Sequence, residues 1–91
     1  MRGGKSTFAV MFGRALRRHR EAQHLTQEAL AERAEIHPTH VGLLERGQRN
    51  ASLNVALRVA RALGTTLAAL IGEVEREWTK LHPVPSPRRT R

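Results

Sequence analysis

Residues 26–47 read TQEALAERAEIHPTHVGLLERG, and this stretch decides the fold. Thr26 has the short oxygen-bearing side chain that caps a helix start, and Gln27 and Glu28 fill the first turn. Leu30, Ala31 and Ala34 then fall on one face at helical spacing. Pro38 cannot continue that helix, because it lacks an N–H and its ring clashes with the carbonyl four residues back. It suits the first position of a new helix instead. The spacing therefore predicts a helix ending near Ala34, a turn at Glu35-Ile36-His37, and a second helix over residues 38–46. Gly47 follows as the residue that ends it. Two short helices across a three-residue turn make a helix-turn-helix.

The second helix separates its faces. At about 100° per residue, Val41, Leu44 and Glu45 share one side and can pack inward. Thr39, Leu43 and Arg46 share the other, with Gly42 at its edge and His40 on the flank. A helix lying in the DNA major groove presents such an outer face to base edges.

The rest of the composition narrows the class of function. The chain has 91 residues, enough for one domain, and a formal charge of +8, which points to a polyanionic partner. It has no cysteine, so disulfides and thiolate metal sites are excluded. The apolar run at residues 8–12 is too short to span a membrane, and Arg14, Arg17 and Arg18 follow it where a signal peptide would have small residues. A cytoplasmic protein with no membrane partner is expected. Enzymatic sites are missing: there is no Asp, and Glu28, Glu32 and Glu35 read with Arg33 as an exposed face. His37 and His40 are three apart, but Pro38 sets His37 outside the helix and no third ligand lies near in sequence. Neither a metal nor a cofactor is expected.

Outward from the central stretch, residues 1–7 read as a flexible basic arm. Its Gly4-Lys5-Ser6 echoes a phosphate-binding loop but lacks the earlier glycine and the preceding strand. Residues 8–23 read as a helix with Phe12, Leu16 and His19 on one stripe and Ala15 and Ala22 beside it. His19 is read as a histidine at the core edge. His24 stands just past this helix, where a left-handed residue is wanted. After a polar loop from Gln48 to Ala51, Ser52 caps a helix over residues 53–63, with a core stripe of Leu53, Ala56, Leu57, Ala60 and Leu63. Gly64 ends it, and Thr65 or Thr66 caps the last helix. The apolar stripe of that helix is Leu67, Leu70, Ile71, Val74, Trp78 and Leu81, longer than one small core needs. Val74, Trp78 and Leu81 are accordingly the candidates for a dimer interface. The domain spans residues 8–81. Residues 82–91, with three prolines and three arginines, read as a disordered tail.

Residues 12–71 resemble the Cro- and phage-repressor-type (XRE-type) helix-turn-helix family. The resemblance is carried by Leu25-Thr26-Gln27-Glu28 with Leu30-Ala31, by His37-Pro38-Thr39-His40-Val41, by Leu44-Glu45-Arg46-Gly47, by Arg49-Asn50 and Ser52-Leu53, and by Ala60-Arg61-Ala62-Leu63-Gly64. It implies an all-α, compact five-helix DNA-binding domain of bacterial or phage type, a transcriptional regulator acting as a homodimer on a palindromic double-stranded operator. By that resemblance Thr39, Gly42 and Leu43 are base-reading residues. Gln27, His40, Arg46, Arg49 and Asn50 contact phosphates, and Arg20 and Glu45 form a structural ion pair. The same fold also serves antitoxins and protein-interaction modules, so a toxin or polymerase partner stands as the alternative. Two positions depart from the family pattern: Glu35 occupies a turn position usually held by glycine, and His19 a core position usually aliphatic. The reading face is also poor in polar side chains, so discrimination would have to come from DNA shape, from Arg46 or from the basic arm.

Overall fold

Short polar side chains start the helices. Thr26 Oγ1, Ser52 Oγ and Thr66 Oγ1 each accept a hydrogen bond of 3.0 Å from the backbone N–H three residues on, at Ala29, Val55 and Ala69. Each such bond satisfies a donor that the helix itself leaves unpaired, worth about 1 kcal/mol. Left-handed residues follow the first four helices: His24 (φ 57°), Glu35 (φ 60°), Gly47 (φ 69°) and Gly64 (φ 77°). The computed structural model describes residues 7–83 and residue 85. Five helices result: α1 (Thr7–Ala22), α2 (Gln27–Ala34), α3 (Pro38–Glu45), α4 (Leu53–Ala62) and α5 (Leu67–Leu81). No strand occurs among the described residues, and the expected all-α architecture is the one observed. The expected arm, with Gly4-Lys5-Ser6, and most of the expected tail (residues 1–6, 84 and 86–91) lie outside the described residues.

α1 packs on α3 and α5, α2 packs on α3 and α4, and α4 packs on α5. Leu16, Leu30, Val41, Leu44, Val59, Leu70 and Val74 are fully buried at the centre. Each contributes about 1.5–3 kcal/mol through apolar surface removed from water. Among the described residues no single helix is long and apolar enough to cross a membrane.

Packing corrects the expected stripes at several places. In α4, Leu53 is 82% and Leu57 41% exposed, while Val59 is fully buried and Val55 packs against the core. The helix turns the face of Ala56, Val59, Ala60 and Leu63 inward, and Leu53 and Leu57 lie about 70° and about 110° around from its centre, Leu53 at the first position of the helix. In α1, Ala22 is exposed rather than beside the core. In α5, Val74 is only 1% exposed, buried in the core of the chain, and so offers no surface for the dimer contact expected of it. Trp78 is half-buried: its ring meets Phe8 edge-on at 5.5 Å and stacks on His82 at 3.8 Å. Leu81 remains exposed.

A polar clamp joins α1 to α5. Arg18 donates to Glu73 Oε2 at 2.9 Å, and His19 Nε2 lies 2.9 Å from Glu73 Oε1. The His19 hydrogen bond first, and the Arg18 bond second, hold the Glu73 carboxyl below the usual carboxylate range. A carboxyl lowered in the folded state stabilises the fold above its unfolded value of about 4.3. That contribution is lost as pH falls through the folded value. Glu73→Gln is therefore expected to melt below the wild type at pH 7, by no more than about 1 kcal/mol for so exposed a pair. The two should converge as the pH falls through the lowered folded-state value. Thermal melts across that range check it, and an undiminished gap in acid would show that the clamp is not electrostatic.

Candidate nucleic-acid interface

One buried ionic cluster sets the angle between α2 and α3. Arg20 grips Glu45 with two bonds, Nε to Oε2 at 2.6 Å and Nη2 to Oε1 at 3.1 Å, and its Nη1 donates to the Leu25 carbonyl at 2.7 Å. Gln27 Nε2 adds a bond of 3.0 Å to Glu45 Oε1. The side chains of Arg20 and Glu45 are only 11% and 4% exposed. A carboxylate so buried requires this many partners, because an unpaired charge in the interior is far more costly than a paired one. The hydrogen bonds that Arg20 donates to Glu45 raise it above its ordinary value against the opposing effect of burial. The cluster ties α1, the α1–α2 loop, the start of α2 and the end of α3 into one unit.

The turn between α2 and α3 is held by contacts that sequence reasoning missed. His37 is the N-cap of α3, its Nδ1 accepting from the Thr39 N–H at 3.1 Å. Arg58 reaches from α4 to donate to the Glu35 carbonyl at 3.3 Å. Glu35 itself sits in the left-handed region, costing about 1 kcal/mol relative to glycine. The histidine cap could have been found from its place before Pro38. The Arg58 contact, 23 residues away in sequence, carries no local signal.

On α3, Thr39 and Arg46 are exposed, and His40 and Leu43 are half-buried. Gly42 is buried, not at the open edge of the outer face as expected. Its neighbours explain this: a Cβ built there would lie 3.1 Å from Arg46 Nη1 and 3.6 Å from Gln27 Oε1. Arg46 and Gln27 cover the glycine from outside. Arg46 Nε also donates to Gln48 Oε1 at 3.2 Å, a partner the sequence reading did not assign. Arg49 and Asn50 are exposed on the loop that follows. Gly47 (φ 69°) turns the chain into that loop, and a Cβ there would come within 2.9 Å of the Val10 Cα.

Charge is distributed less simply than the run of arginines in α1 suggests. Arg17 pairs with Glu21, Arg18 with Glu73 and Arg20 with Glu45. Arg14 is exposed without an acidic partner among the described residues. Beside the loop, Arg49 and Asn50 border an apolar groove of about 490 Å³ floored by Phe8, Phe12, Ala56 and Ile71, with Leu53 lining it too. Among the described residues no group of three His, Asp or Glu side chains gathers to hold a metal ion.

Known proteins are similar to this chain in sequence and fold. The chain is 38% identical over 56 residues to the control protein C.SmaI of Serratia marcescens, covering 62% of this chain and 67% of that protein. It is 33% identical over 69 residues to the control protein C.MunI of a Mycoplasma species, covering 75% of this chain and 93% of that one. Among solved structures, the restriction-modification controller protein C.AhdI from Aeromonas hydrophila superposes with a TM-score of 0.66 at 44% identity, over 68% of this chain and 94% of that one. The helix-turn-helix family model matches residues 16–70, from the middle of α1 through the whole of α2, α3 and α4 into α5, and the chain belongs to that family.

Proposed function

We propose that this chain is a transcriptional regulator that binds double-stranded operator DNA as a homodimer, of the kind that controls restriction–modification genes. The carrying observation is α3: Thr39, Leu43 and Arg46 lie along one accessible side, with Gln27 beside Gly42 and Arg49 and Asn50 exposed on the loop that follows. The buried Arg20–Glu45 cluster holds that side in place from behind. α3 enters the major groove and Thr39 and Leu43 face base edges, the threonine also able to meet a thymine methyl. Gln27, His40, Arg49 and Asn50 follow the phosphates. Gln27 keeps one amide N–H beyond its bond to Glu45, and the unpaired N–H groups at the start of α2 favour an anion beside it. The relatives named as control proteins and as a restriction-modification controller favour that regulatory setting over a toxin partner.

Salt dependence tests the DNA reading. Each phosphate neutralised by an arginine or lysine should steepen, by about 0.9, the fall of the logarithm of the association constant against the logarithm of salt concentration. Titration of the chain's own upstream DNA between 50 and 200 mM salt, read by fluorescence anisotropy, checks this. A flat response would sink the proposal.

The homodimer forms through the groove beside the DNA-facing loop. Leu53 protrudes from its edge, 82% exposed, and Phe8, Phe12 and Ile71 line its floor. A two-fold interface makes each copy both donor and acceptor, so each Leu53 seats in the partner's groove. Arg49 and Asn50 border the same groove, which sets the second α3 on the same duplex, one helical turn away. Phe8 links the groove to Trp78, so Trp78 and Leu81 extend this surface rather than form a separate one. Leu53→Asp is expected to sediment as a folded monomer at concentrations where the wild type is dimeric, whereas Leu81→Asp weakens the dimer less. A Leu53→Asp protein that stays dimeric would move the interface elsewhere.

A further inference from the structure

Thr39, Gly42 and Leu43 offer little with which to tell one base pair from another. A leucine makes only apolar contact and a glycine has no side chain. The polar group missing from those positions is supplied from one turn further on. Side chains on a helix lean toward its N-terminus and cover the turn before their own Cα. Arg46 does this: its guanidinium runs back over Gly42, with Nη1 3.1 Å and Nη2 3.7 Å from where a Cβ of residue 42 would stand. A methyl at 42 would push the guanidinium aside by a few tenths of an ångström, and a longer side chain would fill its place. Gln27 Oε1 borders the same notch at 3.6 Å. Gln48 Oε1 holds Arg46 Nε at 3.2 Å. With Nε engaged, the terminal Nη1 and Nη2 pair remains free, side by side.

We infer that Arg46 reads a base rather than clamping a phosphate, and that Gly42 is the positioning residue that makes room for it. This rests on the reading of α3 as the element in the major groove. A guanidinium presenting its two terminal nitrogens in parallel matches the O6 and N7 acceptors of guanine, the commonest specific contact in that groove. The base recognised is a guanine facing the middle of α3, between the bases met by Thr39 and Leu43. The arrangement also gives Gly42 a reason to occupy the interior of an eight-residue helix, where alanine would be favoured by about 1 kcal/mol.

The test is selection of binding sites from a randomised DNA pool by the full chain, with Arg46→Ala, Arg46→Lys and Gly42→Ala beside the wild type. Salt slopes are measured on random-sequence DNA in parallel. The wild type is expected to select a guanine in each half-site. Arg46→Ala and Arg46→Lys are expected to lose that preference by about ten- to a hundred-fold, since an ammonium cannot make the bidentate contact. Gly42→Ala is expected to lose preference at the same position with its fold intact, because the new methyl displaces only the ends of flexible side chains. The double variant Gly42→Ala with Arg46→Ala should then discriminate no worse than Arg46→Ala alone. A base preference kept by Arg46→Lys, with Arg46→Ala weakening all sequences alike and reducing the salt slope by about one, would identify a phosphate contact and overturn the inference. So would an unchanged preference in Gly42→Ala. A wild type that binds no DNA at low salt would remove the regulator reading itself, and this inference with it.

Discussion

Replacing Glu45 by alanine is expected to destabilise the protein by about 3–5 kcal/mol, a large part of the stability of a domain this size. The magnitude follows from what is left behind. Arg20 stays buried at the junction of α1, α2 and α3 with its bond to the Leu25 carbonyl but without its counter-charge, and Gln27 Nε2 loses its acceptor. An exposed ion pair would cost under about 1 kcal/mol on the same change. For a chain of this length the loss corresponds to a fall in melting temperature of at least about 12 °C. Replacing both members by apolar residues of similar volume, as in Arg20→Met with Glu45→Leu, should recover much of it, because no uncompensated charge then remains in the interior. Urea denaturation of the single and double variants measures both values. A loss below about 1 kcal/mol for Glu45→Ala would mean that water reaches the cluster and screens it.

Gly13→Ala should be nearly as damaging, although alanine is the better helix former by about 1 kcal/mol. α1 crosses α3 at this residue. A Cβ there would stand 2.2 Å from the Leu44 carbonyl oxygen and 2.7 Å from that of Glu45. These are backbone atoms and cannot turn aside as a side chain can, so the two helices must separate. Overpacking of a well-filled interior costs about 1–3 kcal/mol and sometimes more, and a clash with backbone belongs at the upper end. Because the displaced atoms are those of Leu44 and Glu45, DNA affinity should fall with stability. Gly72→Ala is the control: the nearest atom to its Cβ is Arg76 Nη1 at 3.6 Å, an ordinary contact, so that variant should be no less stable than the wild type. Denaturant midpoints of the two variants decide the matter, and equal midpoints would show that α1 and α3 can part at no cost.

The outer face of α3 and the loop after it were legible in the sequence because they depend on local geometry: a period of 3.6 residues, a proline that can only begin a helix, a glycine that ends one. The source of discrimination on that face was not. It depends on where the Arg46 side chain lies relative to Gly42, and on Gln27 and Gln48 beside it. The Arg20–Glu45 contact came into view only through resemblance to a family, since nothing in the spacing of residues 25 apart identifies a partner.

What the sequence by itself determined is therefore the set of elements and their ends. Thr26, Ser52 and Thr66 cap by bonding three residues ahead, and His24 and Glu35 turn left-handed just past their own helices, all within one turn of chain. Only the tertiary structure decided which faces meet. Leu53 and Leu57 are as apolar as the residues of a core stripe, yet they point outward because α4 is held by Val59 and its neighbours. Val74 and Leu81 lie on one predicted stripe, yet only Val74 has a neighbouring helix to pack against. Gly13, Arg58 and the Glu73 clamp owe their roles to chain segments brought together from up to 55 residues away. Periodicity within one helix states that a face is apolar, but burial is a property of two surfaces, and the second belongs to another part of the chain.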